Sequence, residues 1–143
     1  MGLKWLQKLW MLSATVQPAF IRSFSHQISE YKEHPSFDSY RLKFTDSTLR
    51  TYMRKLLKIL NTVHANGIIH RDIKPSNIFY NPDNESMKLG DFGQSIQFNP
   101  DKPMSPDVAA RFFKAPELLL KMDYYFYAVD IWAAGVIFAS IVT

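Results

Sequence analysis

The chain has 143 residues, of which 47% are hydrophobic and 15% aromatic, and this length and composition predict one domain with a substantial core. The absence of cysteine excludes disulfides and thiolate metal sites, and the absence of a long uncharged apolar run excludes a membrane span. The net charge of +4 is uneven, because basic residues dominate the first 80 positions. That bias favours either anionic partners or a solvated helix face, but no basic run with interleaved aromatic residues predicts direct nucleic-acid binding.

The first 29 residues contain no acidic side chain, since the first acid is Glu30. Apolar residues between Leu3 and Leu12, with lysines between them, have the character of a mitochondrial transit peptide. The alternative, which we favour, is a remnant or extension of a larger domain. We therefore assign residues 1–29 to an N-terminal remnant or extension.

A helix is predicted over residues 46–65, where apolar side chains recur at helical spacing. Thr45 or Ser47 can cap its beginning, and Asn66–Gly67 is a typical left-handed end. His64, near the end of this helix, has no metal-type spacing to other histidines. We expect it to be structural or solvent-exposed.

Three short apolar runs follow, at residues 68–69, 78–80 and 87–89, and they predict strands. The turn-forming residues 81–84 connect the last two runs, which predicts a hairpin. Residues 94–110 are polar, contain three prolines and are predicted to be a loop. The apolar residues 129–142 predict a second long helix, and the aromatic run 124–127 is expected to contribute to core packing rather than to a partner surface.

The chemistry-bearing residues are concentrated at 70–77, which read His-Arg-Asp-Ile-Lys-Pro-Ser-Asn, and at 91–93, which read Asp-Phe-Gly. Transfer of a phosphoryl group from a nucleotide requires a base for the attacking hydroxyl, a fixed cation and oxygen ligands for Mg²⁺. Asp72 can supply the base and Lys74 the cation. Asn77 and Asp91 can supply the metal ligands, and a hairpin between them would bring the two together.

Together with Ala-Pro-Glu at 115–117, these motifs resemble those of the eukaryotic Ser/Thr protein kinases. The resemblance covers about residues 30–143, a partial kinase domain from the hinge through the catalytic loop and activation segment to the helix lettered F. It implies an α+β kinase-like fold consisting mainly of the α-helical C-lobe with a short β hairpin, and with the N-lobe largely missing.

The function that the resemblance implies is ATP-dependent transfer to a protein Ser or Thr hydroxyl. Asp72 and Lys74 would be catalytic, Lys74, Asn77 and Asp91 would bind the nucleotide, and Asn77 and Asp91 would hold Mg²⁺. The implied partners are ATP, a protein substrate and a regulatory subunit, with no direct nucleic acid and no membrane. The implied location is nuclear or cytoplasmic.

Further roles follow from the same resemblance. Asp130 would hold the backbone of the catalytic loop, and His70 and Phe92 would belong to the hydrophobic stack that aligns the active site. Arg71 would pair with a phosphorylated activation loop. Residues 107–119 resemble the casein kinase II catalytic subunit, whereas residues 33–37 and 74–81 resemble the cell-division-cycle-seven kinases, and both subfamilies stay open.

The chain also departs from the family pattern. No glycine-rich loop precedes the hinge, Gln94 replaces the usual leucine, and Ala110 replaces a hydroxyl residue that steadies the catalytic Asp and Lys. The arginine that normally pairs with Glu117 would lie beyond Thr143. The alternative function is therefore a catalytically inactive pseudokinase or fragment that acts as a protein-binding module, and a further alternative is an incomplete gene model.

Overall fold

The computed structural model describes residues 37–38 and 43–143. The predictions for residues 1–29, including the transit-peptide alternative, lie outside the described residues. Within residues 43–143, three helices and four short strands surround residues 70–77.

Helix α1 spans Asp46–Ala65, which confirms the predicted bounds. Thr45 caps it in a reciprocal arrangement, since its hydroxyl accepts from the Thr48 N–H and the Thr48 hydroxyl accepts from the Thr45 N–H. The helix ends at Asn66, and Gly67 then adopts a left-handed φ of 72° that a side chain would strain. A Cβ on Gly67 would also meet the Gln97 side-chain nitrogen at 2.4 Å, but that flexible side chain can move away, so the left-handed φ is what requires glycine here.

The strands form two separate antiparallel pairs. Strands β2 (Ile78–Asn81) and β3 (Ser86–Leu89) form the predicted hairpin, with Ile78 opposite Leu89. Strand β1 (Ile68–Ile69) pairs instead with β4 (Ile96–Gln97). The prediction of a loop over 94–110 is therefore wrong near its start, because β1 offers a non-local pairing partner that a local pattern does not reveal.

The remaining helices are α2 (Pro116–Leu119) and α3 (Ala128–Val142), which confirms the second long helix predicted at the end of the chain. Single 3₁₀ turns occupy Pro75–Asn77, Phe92–Gln94 and Arg111–Phe113. None of the described helices combines the length and apolar character that crossing a membrane requires.

Helices α1 and α3 pack on each other and on the hairpin to form the main core. Its buried members are Tyr52, Leu56, Leu60, Val63, Ile73, Ile78, Tyr80, Leu89, Phe92, Ala133, Ala134 and Ile137. A second cluster joins β1 to the segment that precedes α3, through Ile69, Met104, Val108, Ala115, Leu118, Tyr125 and Val129. Residues 70–77 lie between β1 and β2 and contact both clusters, through Ile73 in the first and through the bond of Arg71 to Tyr125 in the second.

The aromatic run before α3 does not behave uniformly. Tyr125 is buried in the second cluster, whereas Tyr124 and Phe126 are more than half exposed. The expectation of core packing is therefore confirmed for Tyr125 and wrong for its two neighbours, whose side chains remain largely exposed in a segment without regular secondary structure.

Candidate active site

A single buried carboxylate fixes the start of the catalytic loop, which we define as residues 70–77. Asp130 of α3 is 1% exposed, and its two oxygens accept the backbone N–H groups of His70 at 2.9 Å and Arg71 at 2.8 Å. The Nε2 atom of His64, from α1, lies 2.8 Å from Oδ2 of the same carboxylate. Asp130 thus ties both long helices to the loop, which confirms the role expected for it.

The side chain of His70, the first residue of this loop, is fully buried and has a structural role. Burial lowers the pKa of its imidazole, against an opposing contribution from the Asp130 carboxylate. The ring with its proton on Nε2 satisfies both neighbours, because Nε2 can donate to the Gly90 carbonyl at 3.0 Å while Nδ1 accepts the Asp72 N–H at 3.3 Å. The ring also meets Phe92 edge-on at a centroid distance of 4.6 Å, which confirms their expected contact.

Asp72, Lys74 and Asn77 form one connected group. The Oδ2 atom of Asp72 accepts from Lys74 Nζ at 2.8 Å and from the Asn77 side-chain amide at 3.1 Å. The same Asn77 amide donates to the Asp72 carbonyl at 2.8 Å, which fixes the loop between the two residues. Asp72 is 2% exposed, so these bonds act in a low-dielectric setting that strengthens them.

The second carboxylate oxygen of Asp72, Oδ1, differs from Oδ2 in its hydrogen bonding. Oδ1 is buried and accepts no hydrogen bond from any described residue. An unpaired buried acceptor is costly, and it requires an explanation such as a catalytic role, local strain, or a water or ion bound there. The carboxylate therefore has one oxygen held by the protein and one available to a hydroxyl donor.

The β2–β3 hairpin brings the backbone of Asp91 close to Asn77. The Gly90 N–H donates to the Asn77 carbonyl at 2.9 Å, so Asp91 directly follows the residue that pairs with Asn77. Asp91 has a left-handed φ of 56°, its side chain is exposed, and Oδ1 accepts the Gly93 N–H at 3.3 Å. In the described part of the chain no hydrogen bond joins Asp91 to Asp72, Lys74 or Asn77.

Asn77 and Asp91 have the donor types that suit Mg²⁺. The Asn77 amide nitrogen is committed to Asp72, which leaves the amide oxygen as the group that an ion can use. Mg²⁺ is usually held by one or two protein carboxylates together with substrate phosphates and water, so two protein ligands fit this ion. Residues 37–38 and 43–143 contain no cluster of three or more acidic, His or Cys ligands.

Arg71 connects the catalytic loop to the activation segment, which we define as residues 91–117. Its Nε donates to the Gln94 carbonyl at 2.6 Å, and one terminal nitrogen donates to the Tyr125 hydroxyl at 2.9 Å. That hydroxyl in turn donates to the Ser105 carbonyl at 2.6 Å. The pairing of Arg71 with a phosphorylated loop stays a prediction, since the guanidinium here binds neutral oxygens.

Sequence reasoning placed Asp72, Lys74 and Asn77 together correctly, but it missed two supporting residues. His64 was expected to be structural or solvent-exposed, and the structure supports the first alternative but adds a partner that the sequence did not identify. Tyr125 was expected only to pack in the core. A helical periodicity does not show that His64 faces Asp130 across 66 positions. The one available signal was Asp130 itself, an acid inside an apolar helix that requires buried partners.

Comparison with known proteins agrees with this geometry. The family model for the protein kinase domain matches residues 20–143. A probable casein kinase II subunit alpha homolog from Encephalitozoon cuniculi (strain GB-M1) is 39% identical over 115 residues, which are 80% of this chain and 36% of that protein. The chain thus spans about a third of the length of this relative. The fold class predicted from the sequence and the resemblance to casein kinase II are confirmed, and the chain belongs to the protein kinase domain family.

Proposed function

We propose that this chain carries the catalytic centre of an ATP-dependent kinase that phosphorylates Ser or Thr hydroxyls of proteins. The observation that carries the proposal is the Asp72 carboxylate. Lys74 and Asn77 hold one of its oxygens, while the other is buried and has no donor among the described residues. A substrate hydroxyl is the donor that such an oxygen would accept.

In the proposed reaction the substrate hydroxyl oxygen bonds to the terminal phosphorus of ATP, and the bond from that phosphorus to the bridging oxygen breaks, releasing ADP. The hydroxyl proton passes to Oδ1 of Asp72. Lys74 lies 2.8 Å from the opposite oxygen, where its charge can offset that of the phosphoryl group. A bound Mg²⁺, held by Asn77 and Asp91, would supply charge neutralisation of the phosphates.

The substrate class follows from the casein kinase II likeness, which favours acidic sequences around the phosphorylated residue. The exposed Arg111 and the half-buried Lys114 bracket the 3₁₀ turn that precedes α2, and both can attract acidic side chains. A regulatory subunit and a nuclear or cytoplasmic location belong to the same proposal. So does the domain range 30–143.

The test is phosphate transfer from labelled ATP to an acidic Ser/Thr peptide. We expect Asp72→Asn to lower the rate by about 10²–10⁴, because the variant removes the base. The matched control is Asp101→Asn, an exposed acid in the loop before α2, which should transfer as the unmodified chain does. Equal rates for the chain and Asp72→Asn would contradict the proposal.

A second candidate is a non-catalytic protein-binding module, either a pseudokinase or a fragment. The observation in its favour is the exposure of large apolar side chains, which attract partners. Phe112 is 85% exposed and Leu120 75%, with Leu119 and Phe126 also more than half exposed. Binding of magnesium-ATP separates the two candidates. If the chain is a kinase, the unmodified chain should bind magnesium-ATP and Asp91→Ala should bind it more weakly. If the chain is a binding module, neither the unmodified chain nor Asp91→Ala should bind it detectably.

A further inference from the structure

Gln94 connects the beginning of the activation segment to Ala109, in its second half. It directly follows the Asp-Phe-Gly motif, and its side-chain carbonyl accepts the backbone N–H of Ala109 at 3.0 Å. Ala109 has a left-handed φ of 65°, which is uncommon for a residue with a Cβ and must be held by its surroundings. The bond therefore fixes a strained position 15 residues away along the chain.

The backbone of Gln94 is bonded to the catalytic loop. Its carbonyl accepts from Arg71 Nε at 2.6 Å, so the residue is joined to the catalytic loop one position before Asp72. Gln94 thus links Arg71, the neighbour of Asp72, to Ala109. Its side chain is half-buried, and the bond to Ala109 is the only one recorded for that side chain in the described residues.

Two departures from the family pattern meet at this place. A leucine at position 94 could not accept a hydrogen bond, and an alanine at position 110 cannot donate the hydroxyl bond expected there. The glutamine provides an attachment at Ala109, directly beside the position that lacks its hydroxyl. The two changes are adjacent in space although they are 16 positions apart in the sequence.

We propose that Gln94 is a positioning residue that holds residues 109–113 against the catalytic loop and so shapes the site for the protein substrate. The effect on the substrate site rests on the proposed kinase function. The attachment of Ala109 by Gln94 does not depend on that function. The Ala109 amide should be protected from solvent exchange by the Gln94 side chain whether or not the chain transfers phosphate.

The experiment compares three variants by hydrogen–deuterium exchange and by steady-state kinetics. Gln94→Leu removes the acceptor, Gln94→Glu keeps it, and Gln97→Leu is the matched control. Gln97 lies three residues on, and its amide donates to the Asn66 carbonyl outside this network. Circular dichroism establishes that each variant is folded.

We expect Gln94→Leu to speed exchange in the peptide containing Ala109 by about tenfold, as the loss of one hydrogen bond implies, while Gln94→Glu and Gln97→Leu stay near the unmodified chain. With an acidic peptide as substrate, Gln94→Leu should raise the peptide KM by a similar factor and leave the ATP KM unchanged. Unchanged exchange in Gln94→Leu, or an equal rise in Gln97→Leu, would overturn the inference. Changed exchange without any phosphate transfer would uphold the positioning role and contradict only the kinase proposal.

Discussion

The catalytic loop and the activation segment are held in different ways. The loop is bonded through buried groups, with Asp130 accepting two of its N–H groups and Asn77 closing it onto Asp72. The segment is attached by the two-residue pairing of β4 with β1, by Met104, Val108 and Ala115 in the second cluster, and by the hydrogen bonds of Gln94 and the Tyr125 hydroxyl. Between these points residues 100–103 are exposed. The comparison teaches that residues 70–77 are fixed by hydrogen bonds to buried groups, whereas we expect the activation segment, with an exposed stretch between its attachments, to open locally.

The largest expected effect comes from removing the anchor of the loop. Asp130→Ala would leave the buried His70 N–H, the part-buried Arg71 N–H and the His64 ring without their acceptor, so we expect the free energy of unfolding to fall by about 3 kcal/mol or more. Urea denaturation measures the change. Asp101→Ala, an exposed acid, is the control and should change stability by less than about 0.5 kcal/mol. A loss as small as that of the control would show that Asp130 does not anchor the loop.

A smaller effect is expected at the activation segment. Tyr125→Phe keeps the buried ring but removes the hydroxyl that links Arg71 to the Ser105 carbonyl. We expect a loss of about 1 kcal/mol in unfolding free energy, together with faster proteolysis within residues 99–108. Tyr124→Phe, at an exposed neighbouring ring, serves as the control. Equal proteolysis of the two variants would mean that the hydroxyl does not hold the segment.

The smallest expected effect is a dependence of the free energy of unfolding on pH. Because burial lowers the pKa of His70, the unfolded chain binds the proton more readily than the folded one, and stability should fall as the pH drops below about 6.5. The charges of Asp130, Asp72 and Asp91 oppose this shift, and they limit its size. Denaturation midpoints between pH 7.5 and pH 5.5 should therefore fall more steeply for the chain than for His70→Asn. Parallel profiles would contradict a neutral buried His70.

Local patterns were sufficient for one set of features. Helix α1 has its predicted bounds because capping and helical periodicity are encoded within the helix itself. The hairpin was predictable for the same reason, since its turn chemistry lies between its two strands. Asp72, Lys74 and Asn77 were placed together because they are at most five positions apart.

Contacts between residues far apart in the sequence could not be predicted from local patterns. Strand β4 exists only because β1 lies beside it, 28 positions earlier, and a polar, proline-containing stretch carries no sign of that partner. His64 and Gln94 depend in the same way on contacts across 66 and 15 positions. The sequence indicated that Gln94 and Ala110 were unusual, but only the fold brings them to one place.

The most direct test of the difference between the two regions is residue-level amide exchange in the unmodified chain. The N–H groups of His70 and Arg71, bonded to buried Asp130, should exchange only when the whole chain unfolds, and their rates should track its unfolding free energy. The Ala109 N–H should exchange much faster, through local opening of the activation segment that urea hardly affects. Equal rates and equal urea dependence for the three amides would contradict the account, because loop and segment would then be held as one unit.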